Sequence, residues 1–175
     1  MYEDTGMDWW KQIFAAFKKA DIGQVAYVPD AGHAALIDAC IADQDIHAIA
    51  LTTEEEGVAL LAGAWLGGVR GALLMQSSGV GNCINMFSLS STCRFPLPVF
   101  VTMRGQWQEF NPWQHAMGES AQRHLETAGL QTRTAAEASE VGPLTTATLD
   151  KAFADGGMAA LLLHQSLMPA KTFDQ

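Results

Sequence analysis

Apolar positions along this chain alternate between two periods. Trp10, Ile13, Phe14 and Phe17 recur at helical spacing, so residues 8–20 read as an amphipathic helix. Residues 24–28 (QVAYV) then read as a strand, stopped by the turn signal Pro29-Asp30-Ala31-Gly32. A helix is expected over 33–42, a strand over 47–51 and a helix over 53–66, closed by Gly67-Gly68. The alternation continues with a strand at 71–76 (GALLMQ), a helix at 80–91 and a strand at 97–103 (LPVFVTM). Residues 104–115 form a polar, aromatic loop. They lead to a helix at 118–128, a strand at 131–134, a helix at 138–154 and a last strand at 158–164. Residues 170–175 read as a tail.

Strands written as continuous apolar runs are buried on both faces, as in parallel sheets covered by helices. Regular strand-then-helix order predicts an α/β fold. Its form is a single doubly wound domain over 1–175, core about 20–165, with a mostly parallel six-stranded sheet. Ligands of such sheets bind at the carboxyl ends of the strands, near a topological switch point. Attention therefore falls on 29–33, 52–56, 76–85 and 104–115.

Composition narrows the class. Hydrophobic residues make up 49% and charged residues 17% of the 175 positions, with five Trp and eight Met. That balance suits either a well-packed core or a large subunit interface. A formal net charge of −9, with the basic residues scattered, argues against nucleic acid as a partner. Cys40, Cys83 and Cys93 form no CxxC pair, which disfavours a disulfide framework and a zinc site. No apolar stretch is long enough to span a membrane and no signal peptide is visible at the start, so a cytoplasmic location is expected.

Three segments carry candidate chemistry. In Thr52-Thr53-Glu54-Glu55-Glu56-Gly57, carboxylates in a first helical turn complement the helix dipole, and capping alone would account for them. Successive helix residues point about 100° apart, so the three cannot face the same way. One can face the strand-end crevice, where apolar neighbours would raise its pKa. The second segment, Ser77-Ser78-Gly79-Val80-Gly81-Asn82-Cys83-Ile84-Asn85, directly follows a strand. Its glycines would let the backbone approach a ligand, or it is simply a tight turn capped by Ser and Asn. A dinucleotide fingerprint fits poorly, because Ile84 stands where the third glycine belongs. The third segment is Gln114-His115-Ala116-Met117-Gly118, at the end of the loop that carries Trp107, Phe110 and Trp113.

Taken together, these segments resemble the pyrimidine-binding domain of thiamine-diphosphate-dependent enzymes. Glu54-Glu55-Glu56-Gly57 followed by Ala62-Gly63-Ala64-Trp65 is similar to the family's stretch in which a Glu precedes an Ala-x-Gly-Tyr helix. Aligning Trp65 with that aromatic puts the cofactor-activating carboxylate at Glu55. Ser78-Gly79-Val80-Gly81 with Asn85 resembles the family's Ser-Gly-x-Gly-x-x-x-Asn turn, and Pro96-Leu97-Pro98-Val99 its following strand. Val28-Pro29-Asp30 and Gln114-His115-Ala116-Met117-Gly118 resemble two further loops, Gln114 replacing the first of a histidine pair.

Within this family the chain looks most like the small α subunits of two-chain sulfopyruvate and phosphonopyruvate decarboxylases. The resemblance implies a decarboxylase acting on a 2-oxo acid, assembled as α2β2 or larger. A β subunit would carry the diphosphate and the magnesium ion, and this chain would hold no metal. It implies that Glu55 activates the cofactor. His115 and Asp30 would orient substrate or transfer protons, and Gln76, Ser77, Ser78, Gly79 and Asn82 would line the cofactor. Ala64, where many relatives have Gly, and the Trp-rich loop at 105–113 depart from the pattern. Two other readings stay open: a non-catalytic structural subunit and a generic α/β nucleotide-binding domain.

Overall fold

The computed structural model describes residues 8–169. The tail expected at 170–175 lies outside the described residues. The chain runs α1 (Trp9–Lys19), β1 (Ile22–Tyr27), α2 (Ala34–Ala42), β2 (His47–Ala50), α3 (Glu54–Leu66) and β3 (Arg70–Gln76). It continues through α4 (Val80–Cys83), α5 (Phe87–Cys93), β4 (Leu97–Thr102), α6 (His115–Thr127), β5 (Gln131–Ala135), α7 (Ala138–Asp155) and β6 (Met158–Leu163). The six strands form one sheet of order β2-β1-β3-β4-β6-β5, and every pairing is parallel. The doubly wound α/β expectation therefore holds, with a sheet that is parallel throughout.

Alternation along the strands divides the core in two. Val25, Tyr27, Leu74, Phe100 and Leu161 face α1, α2 and α7. Ala26, Leu73, Met75, Val99 and Leu162 face α3, α4, α5 and α6. β3, β4 and β6 are buried almost end to end, as their unbroken apolar sequences require. The edge strands β2 and β5 are short and partly exposed. α1 buries Trp9, Ile13 and Phe17 at intervals of four, and Phe17 meets Phe100 edge-on with centroids 5.0 Å apart.

Two helices differ from expectation. The helix expected over 80–91 is broken: a 3-10 turn at Ser77–Gly79 leads into α4, and α5 starts afresh at Phe87. Positions 80, 83, 87 and 90 are all buried at helical spacing, which hides the break from the sequence pattern. The Ser88 hydroxyl donates to the Asn85 carbonyl at 2.7 Å, the oxygen that a continuous helix would give to Leu89. The Leu89 amide turns to the Met86 carbonyl instead. Conversely, α6 begins three residues early. Pro112 opens a 3-10 turn, Pro112–Gln114, that feeds directly into it, so His115 is the first residue of a helix and not part of a loop.

The strand order fixes the crevice. After β1 the chain moves to one side of the sheet and after β2 it crosses to the other, so β1 and β3 flank the switch point. Among the described residues, no helix is long and apolar enough to cross a membrane.

Candidate active site at the switch point

Asp30 follows β1, Gln76 ends β3 and Thr102 ends β4, three adjacent strands, and their side chains meet. Gln76 Nε2 donates to Asp30 Oδ1 at 3.0 Å. Thr102 Oγ1 at 2.6 Å and the Gly32 amide at 3.1 Å both donate to Asp30 Oδ2. Burial opposes ionisation of Asp30, but His33 beside it and these three donors hold the carboxyl below its ordinary value. The chain of bonds extends outward, because the exposed Ser78 donates its hydroxyl to Gln76 Oε1 at 2.8 Å. Beneath Asp30 lies His33, 1% exposed, its Nε2 3.1 Å from the Phe100 carbonyl and its Nδ1 without a partner. Burial pushes the His33 pKa down, against the pull of the neighbouring Asp30 carboxylate.

The three glutamates separate as helical geometry demands. Glu56 turns back to cap, Oε2 accepting the Thr52 amide at 2.8 Å. Glu54 turns inward: it is 7% exposed and accepts from Asn82 Nδ2 at 2.7 Å. A Cβ at position 79 would overlap the Glu54 carboxylate, so glycine there makes room for it. Glu55 is exposed in this chain, as is Ala59 one turn further along α3. The apolar neighbours of the glutamate run thus enclose Glu54 and leave Glu55 open. Both charges still reach the buried Cys83 thiol of α4, which burial and these two carboxylates push up to about 12.

The loop after β4 is fixed by an ion pair. Arg104, 9% exposed, donates through Nε and Nη2 to the two Glu109 oxygens, with Nε to Oε2 at 2.7 Å. Glu109 also accepts from the amides of Gly105 and Asn111 and from Gln165 Nε2. The Arg104 bond first, then the other donors, lowers its pKa to about 2 against the opposing effect of burial. Gln165 Oε1 in turn accepts the amides of Gln106 and Trp107. Trp107 and Trp113 are left exposed on this anchored loop.

Of the expected site residues, the structure gathers Asp30, Gln76 and Ser78 into one network and sets Gly79 and Asn82 against Glu54. Ser77 is fully buried and its hydroxyl accepts the Arg104 amide at 3.1 Å, so it anchors the loop. His115 stands outside the network, with Nδ1 3.2 Å from the Gly105 carbonyl. Sequence reasoning missed Glu54, Thr102, His33 and the Arg104–Glu109 pair. Arg104 is already neutralised by Glu109, and Arg94 lies at the amino end of β4, away from the crevice.

No family model matches the chain. Among curated proteins it is 36% identical over 116 residues to the sulfopyruvate decarboxylase subunit alpha of Methanococcus maripaludis, covering 66% of this chain and 70% of that one. The same subunit of Methanothermobacter thermautotrophicus is 36% identical over 142 residues, covering 78% and 86%. A phosphonopyruvate decarboxylase of Streptomyces viridochromogenes is 36% identical over 108 residues, covering 61% of this chain and 27% of its own length. Among solved structures, the 2-oxoglutarate:ferredoxin oxidoreductase of Magnetococcus marinus superposes with a TM-score of 0.72 over 91% of this chain and 29% of its own. At 11% identity that likeness speaks for the fold alone. At that identity and coverage of the curated subunits, the chain belongs to the family of sulfopyruvate decarboxylase alpha subunits.

Proposed function

We propose that this chain is the α subunit of a thiamine-diphosphate-dependent decarboxylase of 2-oxo acids, and that a β subunit completes its site. The observation that carries the proposal is the placement of the Glu54-Glu55 turn of α3 beside the Ser78–Asn82 turn at the switch point. The residues present fit the pyrimidine half of the cofactor. Glu55 offers an exposed carboxylate, Ser78 an exposed hydroxyl, and Gly81 a backbone where a Cβ would meet only Met117, at 3.9 Å.

When bound, thiamine diphosphate supplies the electron sink that decarboxylation of a 2-oxo acid requires. In this reading the Glu55 carboxyl holds a proton toward a ring nitrogen of the pyrimidine. A partner surface dries that carboxyl, which strengthens the proton exchange. Gly79 and Asn82 fix the Glu54 carboxylate and so the first turn of α3. Ser77 holds the loop after β4 against the turn. Asp30, ionised and held by three donors, orients its neighbours, and His115 stands at the start of α6 for proton transfer. The diphosphate and magnesium belong to the β subunit in this reading.

The test is reconstitution. Carbon dioxide release is measured from a 2-oxo acid with thiamine diphosphate and magnesium, for this chain alone and mixed with its β subunit. Turnover is expected only from the mixture, and robust turnover from the chain alone would refute the two-subunit assignment. A mixture that binds no cofactor by calorimetry would leave a structural role in its place.

A further inference from the structure

Hydrogen bonds have a direction, and the chain from Asp30 to Ser78 has only one self-consistent direction. Thr102 Oγ1 and the Gly32 amide both aim at Asp30 Oδ2, while Gln76 alone aims at Oδ1. An ionised carboxylate only accepts. Gln76 must therefore turn its amino group toward Asp30 and its carbonyl away. That carbonyl can only accept, so Ser78 must donate its single proton inward to Gln76 Oε1. The exposed Ser78 oxygen is left with lone pairs and no proton to offer a ligand.

We infer that Asp30 is a positioning residue that acts through Gln76 to make Ser78 a hydrogen-bond acceptor for an N–H donor on the bound ligand. The carboxylate and the ketone of a simple 2-oxo acid are acceptors themselves, so neither suits this position. Resting on the function proposed above, the matching donor is the amino group on the pyrimidine ring of thiamine diphosphate. Ser78 then recognises the cofactor and not the substrate.

The separation of donors on the two Asp30 oxygens supplies a clean test. In Asp30→Asn the amide oxygen can keep the Thr102 and Gly32 bonds while its nitrogen donates to Gln76. Gln76 then flips, and Ser78 becomes a donor with no bond lost. The probes are thiamine diphosphate and oxythiamine diphosphate, whose ring carries an oxo acceptor in place of the amino donor. Their affinities for the chain reconstituted with its β subunit are measured by calorimetry with magnesium. The wild-type ratio of the two affinities is expected to shift at least tenfold toward oxythiamine diphosphate in Asp30→Asn. It should lose most of its bias in Ser78→Ala, whose exposed position leaves the fold intact. Adding Ser78→Ala to Asp30→Asn should erase the reversal, whereas a group acting directly on the reacting atoms would keep its effect. A ratio unchanged in both single variants, with thiamine diphosphate still bound, overturns the relay alone. Absence of binding in the wild type overturns the relay and the proposed function together.

Discussion

Asn82 donates a 2.7 Å hydrogen bond to Glu54, tying the first turn of α3 to the turn that follows β3. The two residues lie on elements separated by a whole strand, and the bond forms because position 79 has no side chain. Gly79→Ala should drive the Glu54 carboxylate out of its seat. Overpacking at a buried site costs about 1–3 kcal/mol, read as a lower urea midpoint. Cofactor affinity of the reconstituted complex should fall at least tenfold. Gly81→Ala is the control: a Cβ there meets only Met117, at 3.9 Å, so stability should change by no more than about 0.5 kcal/mol.

The glutamates can be told apart by their neutral isosteres. Glu55 is exposed, so Glu55→Gln should leave the melting temperature nearly unchanged while turnover drops by several orders of magnitude. A drop below about tenfold, roughly 1.4 kcal/mol of barrier, rules out activation by Glu55. Glu54→Gln keeps an oxygen for Asn82 and should cost less than tenfold in turnover. The reverse pattern would transfer the activating role to Glu54.

Glu56 has a different task, since its carboxylate satisfies the Thr52 amide ahead of α3. Glu56→Ala should cost about 1 kcal/mol by loss of the cap. Thermal unfolding would report it, with the cofactor affinity per folded molecule preserved.

What the sequence made legible follows from local physics. The apolar runs of β3, β4 and β6 announce a sheet buried on both faces, and the helices between them force parallel order. The turn at Ser78–Asn82 shows itself because glycines directly follow a strand. The choice among three glutamates is not local. It depends on which face of α3 meets Gly79, a relation between elements that no spacing within the run encodes. Likewise Asp30 was visible as a post-strand carboxylate, but its partner Thr102 lies 72 residues away. The Arg104–Glu109 pair falls inside an irregular loop, where no period points one residue at another.

That pair governs the response of the loop to acid. Glu109 is depressed from 4.5 to about 2, chiefly by Arg104, so the folded state binds its proton less readily than the unfolded chain. Its contribution to stability is complete above pH 4.5 and is lost as the pH falls toward 2. Trp107 and Trp113 sit on the anchored loop and provide a fluorescence signal for its release. At fixed ionic strength, the wild type should show a transition in that window that Glu109→Gln lacks. The same variant leaves Arg104, 9% exposed, without its carboxylate, and should be destabilised by about 3–5 kcal/mol at neutral pH. Replacing both partners, as Arg104→Met with Glu109→Leu, should recover most of that loss, because no uncompensated charge remains buried. A double variant as unstable as Glu109→Gln alone would show that the other bonds of Glu109, to Gly105, Asn111 and Gln165, hold the loop instead of the ion pair.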